Sequence, residues 1–265
     1  MLITKQEIIN KINSIPPMPE SVKQTIDALK NGDLQRAADF TDEDIVLKNK
    51  ISKIVNSAYF GFSKKLTNTR QMFSAMGLEM AKSVVLSYMV SLLEPKEWKI
   101  FTDLDFEGFQ SAFLNKTKEV VILETNEDIY KKYSDALALI PATICLIDEL
   151  LGSKKEEVKL LIESSGLNYG KILKRFTGYS IFTLAAFVAK KWELNQENIN
   201  FIKMIECEKC INDGSDISKA VAGVHLELFK LVSEPKFYIL NSFVDFNPDS
   251  INIAIKTYER IMNEE

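Results

Sequence analysis

The chain supplies a single histidine, His225, and three cysteines, Cys145, Cys207 and Cys210, the residue types that most often move protons or hold transition metals. His225 shares a helical stripe with Val221, Leu228 and Val232, which is the spacing of a packed face, so it reads as a buried or half-buried side chain. Cys207-Glu-Lys-Cys210 has CxxC spacing. A redox CxxC places its first thiol at a helix N-terminus, where the dipole favours the thiolate; this pair falls near the end of an expected helix. A structural zinc would need two further ligands, and only Cys145 and His225 remain to supply them. The pair reads as ordinary reduced cysteines, and no metal or cofactor is expected. The acidic runs Asp148-Glu149 and Asp42-Glu43-Asp44 sit at expected helix ends, where capping and solvation account for them.

Phosphate-binding loops are absent. The nearest approach ends at Gly170-Lys171, but Ser165 stands where the pattern needs glycine and Ile172 where it needs serine or threonine. Neither GxGxxG nor a GxSxG nucleophile turn occurs. One charge feature stands apart. Between Ile45 and Leu78 lie Lys48, Lys50, Lys53, Lys64, Lys65 and Arg70 with no acidic residue, a local +6 in a chain of net charge −4. Asn56, Ser57, Tyr59, Phe60 and Phe62 are interleaved with them. Cations, amides and aromatics in this arrangement suit a phosphate, a nucleotide or an acidic partner. They equally describe a solvated face that balances the acids from Asp39 to Asp44. Asn56, Ser57, Tyr59, Lys64, Lys65 and Arg70 are the candidate ligand or partner surface.

The elements that must position these residues are helical nearly throughout. Helices are expected over Lys5–Ile12 and Glu20–Lys30, separated by Pro16, Pro17 and Pro19 and stopped at Asn31-Gly32. Thr41 reads as the N-cap of a helix placing Leu47, Ile51, Ile54, Val55 and Ala58 on one face and ending at Gly61. A basic loop covers Ser63–Asn68, and Thr69 caps a short helix closed by Gly77. The run Leu78–Leu93 reads as a mid-bundle apolar helix with a polar i+4 stripe of Glu79, Ser83, Ser87 and Ser91. Further helices are expected over Phe106–Glu124, Ile129–Leu151, Lys154–Ser164, Tyr169–Phe176, Ile181–Trp192, Gln196–Ile211, Asp216–Val232 and Pro248–Met262. Ser153 with Glu156 has capping-box spacing. No strand pair, repeat or low-complexity tract is evident, so the fold class is all-α.

Composition agrees. Ten glycines and seven prolines in 265 residues are few, which favours long elements with few turns. Net acidity, with a pI near 5.4, argues against nucleic acid as a partner. Met1–Lys11 lacks the apolar core of a signal peptide, and the longest charge-free stretch, Phe176–Ala189, is 14 residues, short of a bilayer span. A cytoplasmic protein with no membrane association is the expectation.

Three blocks then carry a family resemblance: Ile15-Pro-Pro-Met-Pro19, Ile54-Val-Asn-Ser-Ala-Tyr-Phe-Gly61 and Met72-Phe-Ser-Ala-Met-Gly77-Leu78. In order and spacing they resemble the HDOD family's "LPPLP", "ANSAxYG" and "AIxxLGL" segments. Leu184–Leu194, with Trp192, looks like the family's late "GaxLaxxWxLP" segment. The likeness runs over residues 12–205 and implies an HDOD-like domain of residues 1–205, with residues 206–265 a helical extension packed on it. Pro16, Pro17, Pro19, Gly61, Gly77 and Trp192 are its structural motif positions.

HDOD domains are similar to the HD phosphohydrolase superfamily, whose all-α fold binds metal through histidine and aspartate. They are regarded as largely non-catalytic bacterial signalling modules, often in motility or cyclic-dinucleotide networks. The remnant "GLLHDIG" segment aligns by eye with Leu139–Cys145, where Ala142 and Thr143 replace histidine and aspartate. No His-Asp dipeptide occurs anywhere in the chain, and one imidazole cannot build such a site. The resemblance implies a non-enzymatic regulatory protein that binds a protein partner. The alternative is a nucleotide or phosphate-ligand sensor using the Lys48–Arg70 region, and a degenerate metal phosphohydrolase is a distant third.

Overall fold

A computed structural model of the chain describes residues 2–56, 61–102, 104–165, 169–205, 213–221 and 223–224. These form α-helices joined by short connections, with no strand among the described residues. The first half comprises α1 (Lys5–Ser14), α2 (Glu20–Lys30), α3 (Leu34–Glu43), α4 (Ile45–Val55), α5 (Thr69–Met76) and α6 (Leu78–Ser91). The second comprises α7 (Phe106–Glu124), α8 (Glu127–Leu139), α9 (Ala142–Leu151), α10 (Lys155–Ser165), α11 (Tyr169–Thr177), α12 (Ile181–Lys191) and α13 (Gln196–Met204).

The middle position expected of α6 is observed. Every residue from Met80 to Val90 is buried, and α2, α4, α5, α7 and α8 pack around it. A helix apolar on nearly all sides can satisfy itself only inside a bundle. The core it anchors is continuous, running from Ile8 to Val224. Ala220, Val221 and Val224, from the segment read as a C-terminal extension, are buried in that core. Residues 206–212, 222 and 225–265 lie outside the described residues, and with them fall His225, Cys207, Cys210 and the helix expected at Pro248–Met262. The helical run Glu127–Ser165 has the length and apolarity to cross a membrane, but 83% of its apolar window is buried inside the protein, as in a core helix.

Several helix ends differ from their sequence reading. Helix α3 was not expected; its start signal, Asp33, abuts the stop signal of α2 and its apolar face is mostly small. Gly32, at φ +74°, lets the chain reverse, and the Asp33 carboxylate then accepts the Arg36 N–H at 2.9 Å. Thr41 is consequently buried inside α3 rather than capping α4. Asp44 takes that role, accepting the Val46 and Leu47 N–H groups at 3.0 Å each and the Ser21 hydroxyl at 2.7 Å. Burial pushes the Asp44 carboxyl upward, but these hydrogen bonds outweigh it and hold the group below its ordinary value. Asn68, not Thr69, caps α5, because Thr69 is turned inward onto Asp42. Helix α4 ends at Asn56, so Gly61, at φ +64°, serves the loop rather than a helix C-cap. Gly77, at φ +75°, does close α5. The helix expected over Ile129–Leu151 is divided at Ile140-Pro141, and Ser153 lies in the 3-10 turn Gly152–Lys154.

Two polar ties fix the path between helices. The Asp148 carboxylate, buried on α9, accepts the backbone N–H groups of Lys99, Ile100 and Phe101 at 3.1, 2.7 and 3.3 Å, which secures the connection from α6 to α7. The Trp192 indole, 2% exposed, donates from Nε1 to the Pro16 carbonyl at 3.0 Å. Pro16 lies on the extended stretch between α1 and α2, so the proline block and the late tryptophan block meet in space. Replacing Trp192 with Phe should destabilise the protein by about 1–3 kcal/mol through the lost donor and lost packing. Urea denaturation measures this, and an unchanged midpoint would deny the tie any structural role.

Candidate functional site

The candidate residues of the basic segment do not form one cluster. Asn56 lies at the end of α4 with its carboxamide fully engaged. Its Nδ2 donates to the Ser52 and Leu66 carbonyls at 2.8 Å each, and its Oδ1 accepts the Leu66 N–H at 2.7 Å. Asn56 therefore latches the loop carrying Lys64 and Lys65 to the helix it follows, with both amide protons committed. Ser57, Tyr59 and Phe60 lie outside the described residues.

The six cations also divide. Lys48 pairs with Asp42 at 3.1 Å, while Lys50 and Lys53 approach Glu107 of α7 at 3.7 and 3.8 Å. Arg70 donates to Gln35 of α3 at 2.6 Å. Lys64, Lys65 and Arg70 are exposed with no ion pair among the described residues, Arg70 being engaged by the neutral Gln35. Three of the six cations are thus paired with two acids, Asp42 of α3 and Glu107 of α7, and the other three are not.

The position that the resemblance assigns to a His-Asp pair lies in the core. Ala142 and Thr143 are 0% and 1% exposed, and the Thr143 hydroxyl donates to the Ile140 carbonyl at 2.8 Å. Cys145, one turn on, is buried, and that burial pushes its thiol well above the ordinary range. Among the described residues no group of three or more His, Cys, Asp or Glu side chains is placed to hold a metal ion.

A cleft of about 350 Å³ lies instead where the two motif ends meet. Pro17 and Met18 contribute one side and Trp192 to Asn195 another, with Leu86 of α6 and Asp135 of α8 also lining it. The turn after α12 that shapes this wall is held by the Glu193 N–H to the Lys190 carbonyl at 3.1 Å and the Leu194 N–H to the Ala189 carbonyl at 3.0 Å. Such a turn needs a left-handed residue, which is usually glycine, and here Glu193 adopts φ +58°.

Behind the cleft lies a charge cluster that the sequence reading missed. Lys82, 9% exposed and off the polar stripe of α6, donates to Glu79 Oε2 at 2.7 Å and stands 3.3 Å from Asp135 Oδ1. Ser134 also donates to Glu79 Oε2, at 3.1 Å. Burial alone would depress the Lys82 ammonium; the fields of Asp135 and Glu79 outweigh it and raise the group above its ordinary value. Neighbouring Tyr130 is pushed up to about 12, chiefly by burial. The available signal was a lysine lying off the polar stripe of a mid-bundle helix.

The Asn56 latch gives a direct test. Asn56→Ala should cost about 1–3 kcal/mol by stranding the Leu66 backbone groups. It should also accelerate hydrogen exchange at the Leu66 amide selectively, and equal exchange in both proteins would show that Asn56 does not hold the loop.

Residues 15–109 match the model of the HDOD domain, which covers the three N-terminal sequence blocks. Comparison with curated proteins gives no match. Among solved structures the chain is similar to an HDOD domain protein of unknown function from Geobacter sulfurreducens, with 14% identity and a TM-score of 0.57 over 97% of this chain and 93% of that one. It is also similar to a candidate phosphohydrolase from Shewanella amazonensis SB2B, with 15% identity and a TM-score of 0.54 over 95% and 93%. At such identities the likeness is one of fold. Residues 15–109 thus match the HDOD domain, and the all-α fold of nearly the whole chain is similar to that of an HDOD domain protein.

Proposed function

We propose that this protein is a non-enzymatic, cytoplasmic regulatory adaptor that binds a protein partner, in the kind of bacterial signalling setting that the family resemblance implies, motility or cyclic-dinucleotide-linked control included. The observation that carries the docking reading is the adjacent pair Ile45 and Val46, 70% and 60% exposed on the first turn of α4. Scattered exposed aliphatics are ordinary on a protein surface, whereas neighbouring branched side chains on one rigid turn form a compact apolar contact. Asp44 fixes that turn by accepting the N–H groups of Val46 and Leu47, so the pair is held out in a defined geometry. The non-catalytic part of the reading rests on residue supply: one histidine in the chain, and packed Ala142 and Thr143 where the resemblance looks for a metal pair.

Nucleotide sensing is the second reading, supported by exposed Lys64 and Lys65. Its test is a salt-sensitive thermal shift with nucleotides that Lys64→Ala, Lys65→Ala and Arg70→Ala together abolish.

For the adaptor, affinity purification of the tagged protein from its own cells, followed by mass spectrometry, should recover one protein near stoichiometry. Ile45→Gln with Val46→Gln should leave stability within about 0.5 kcal/mol, as surface changes usually do, yet lose that protein. Equal recovery with the double variant would move docking away from α4, and empty purifications even after cross-linking would contradict the adaptor reading.

A further inference from the structure

The apolar pair on the first turn of α4 continues along that helix into a group of cations. Ile45, Val46, Asn49 and Lys53 are exposed, while Leu47, Ile51, Ile54 and Val55 are buried. Asn49 follows Val46 by three residues and Lys53 follows Asn49 by four, so the three share one outward stripe. At the helical rise, Lys53 lies about 10 Å along the axis from Val46. Asn56, one turn on, clasps the Leu66 backbone at 2.8 and 2.7 Å. That latch sets the loop carrying Lys64 and Lys65 beside the last turn of α4.

The two ends of this surface differ in charge. At the start of α4, Asp42 is engaged by Lys48 and Thr69, and Asp44 by Ser21 and the helix N–H groups. Glu43 stays exposed there. At the far end, Glu107 approaches Lys50 and Lys53, and Glu94 feels the charge of the same two lysines. Lys53 nevertheless keeps 70% exposure, and Lys64 and Lys65 have no ion pair among the described residues. Four ammonium groups there stand against two carboxylates, so the excess is positive. A chain of net charge −4 is repelled by an extended polyanion such as a membrane or nucleic acid. A short segment feels only the charges within a Debye length, about 8 Å, and meets the local excess.

We infer that the partner docks on α4 through an acidic segment, with aliphatic side chains against Ile45 and Val46 and a run of carboxylates against Lys53, Lys64 and Lys65. The inference rests on the adaptor reading and assigns Lys64 and Lys65 to the protein partner rather than to a nucleotide.

Synthetic peptides test it. The probe carries a leucine pair followed two helical turns later by four glutamates; its controls carry glutamine or lysine in place of glutamate. Titrated into the full chain, the glutamate peptide should move the amide signals of Val46, Asn49 and Lys53 with a Kd of about 1 mM or tighter. Its affinity should fall at least about tenfold between about 50 and about 500 mM salt. Both controls should bind at least about tenfold more weakly, and Lys53→Gln, Lys64→Gln and Lys65→Gln together should weaken the glutamate peptide by a similar factor. No movement along α4 up to about 5 mM peptide, equal binding of the three peptides, or affinity unchanged by salt would each overturn the inference. So would co-sedimentation with phosphatidylglycerol vesicles that Ile45→Gln with Val46→Gln abolishes, which would give the surface to a membrane. The peptide comparison needs no variant. Should the peptides fail while the co-purified protein is still lost from the Ile45→Gln, Val46→Gln protein, the adaptor reading stands and only the acidic chemistry falls. Empty purifications overturn both.

Discussion

The contact between Trp192 and Pro16 joins residues 176 positions apart and ties the connection between α1 and α2 to the end of α12. Its free energy is small beside the burial of the core, since a single hydrogen bond contributes about 1 kcal/mol net and each buried aliphatic side chain about 1.5–3 kcal/mol. Its weight lies in direction. Hydrophobic burial is non-directional, so packed helices can slide; an indole N–H with one reachable acceptor selects one register. The three prolines stiffen the acceptor strand because each fixes its own φ and restricts the residue before it. A rigid strand on one side and the turn after α12 on the other leave the cleft between them.

Most of the helices were legible because they follow a strong local rule. The run from Leu78 onward is apolar on nearly every face, and its burial follows directly. Glu20–Lys30 and Phe106–Glu124 begin and end where proline, glycine and acidic capping residues say they should. Errors arose where two local signals overlap. Asn31-Gly32-Asp33 is at once a stop for α2 and a start for α3, and the small apolar face of α3, Ala37 and Ala38, gives little periodic signal. Asn68 and Thr69 are both capable caps, and the partner Asp42 decides between them by engaging the Thr69 hydroxyl. That partner is 27 positions away, beyond the reach of any local pattern.

The same reason separates what could be read of the candidate sites from what could not. The basic segment was visible as charge, but the pairing of Lys48, Lys50 and Lys53 with Asp42 and Glu107 depends on how α3 and α7 pack against α4. Asn56 was a recognisable helix-end residue; that its amide clasps the backbone of Leu66 required the loop to fold back. Lys82 and Asp135 belong to different helices and carry no shared motif, so their pairing is visible only in three dimensions. The fold family, by contrast, was open to reading because its motif residues are those with strict backbone demands, prolines and left-handed glycines among them.

The molecule that results places its ionisable groups in structural service: Asp44 and Asp148 hold backbone N–H groups, and Glu107 neutralises lysines from α4. The proposed non-catalytic reading rests on the single histidine, too few for a histidine–aspartate metal centre, and on the described residues, among which no three His, Cys, Asp or Glu side chains are placed to hold a metal ion. The most direct test of this account is phosphodiesterase activity of the full chain with manganese on a chromogenic phosphodiester and on cyclic dinucleotides. The account predicts a rate no greater than that of manganese alone and no metal retained after gel filtration. Hydrolysis above that background, abolished by chelator and absent when Thr143 is replaced by Val, would contradict it.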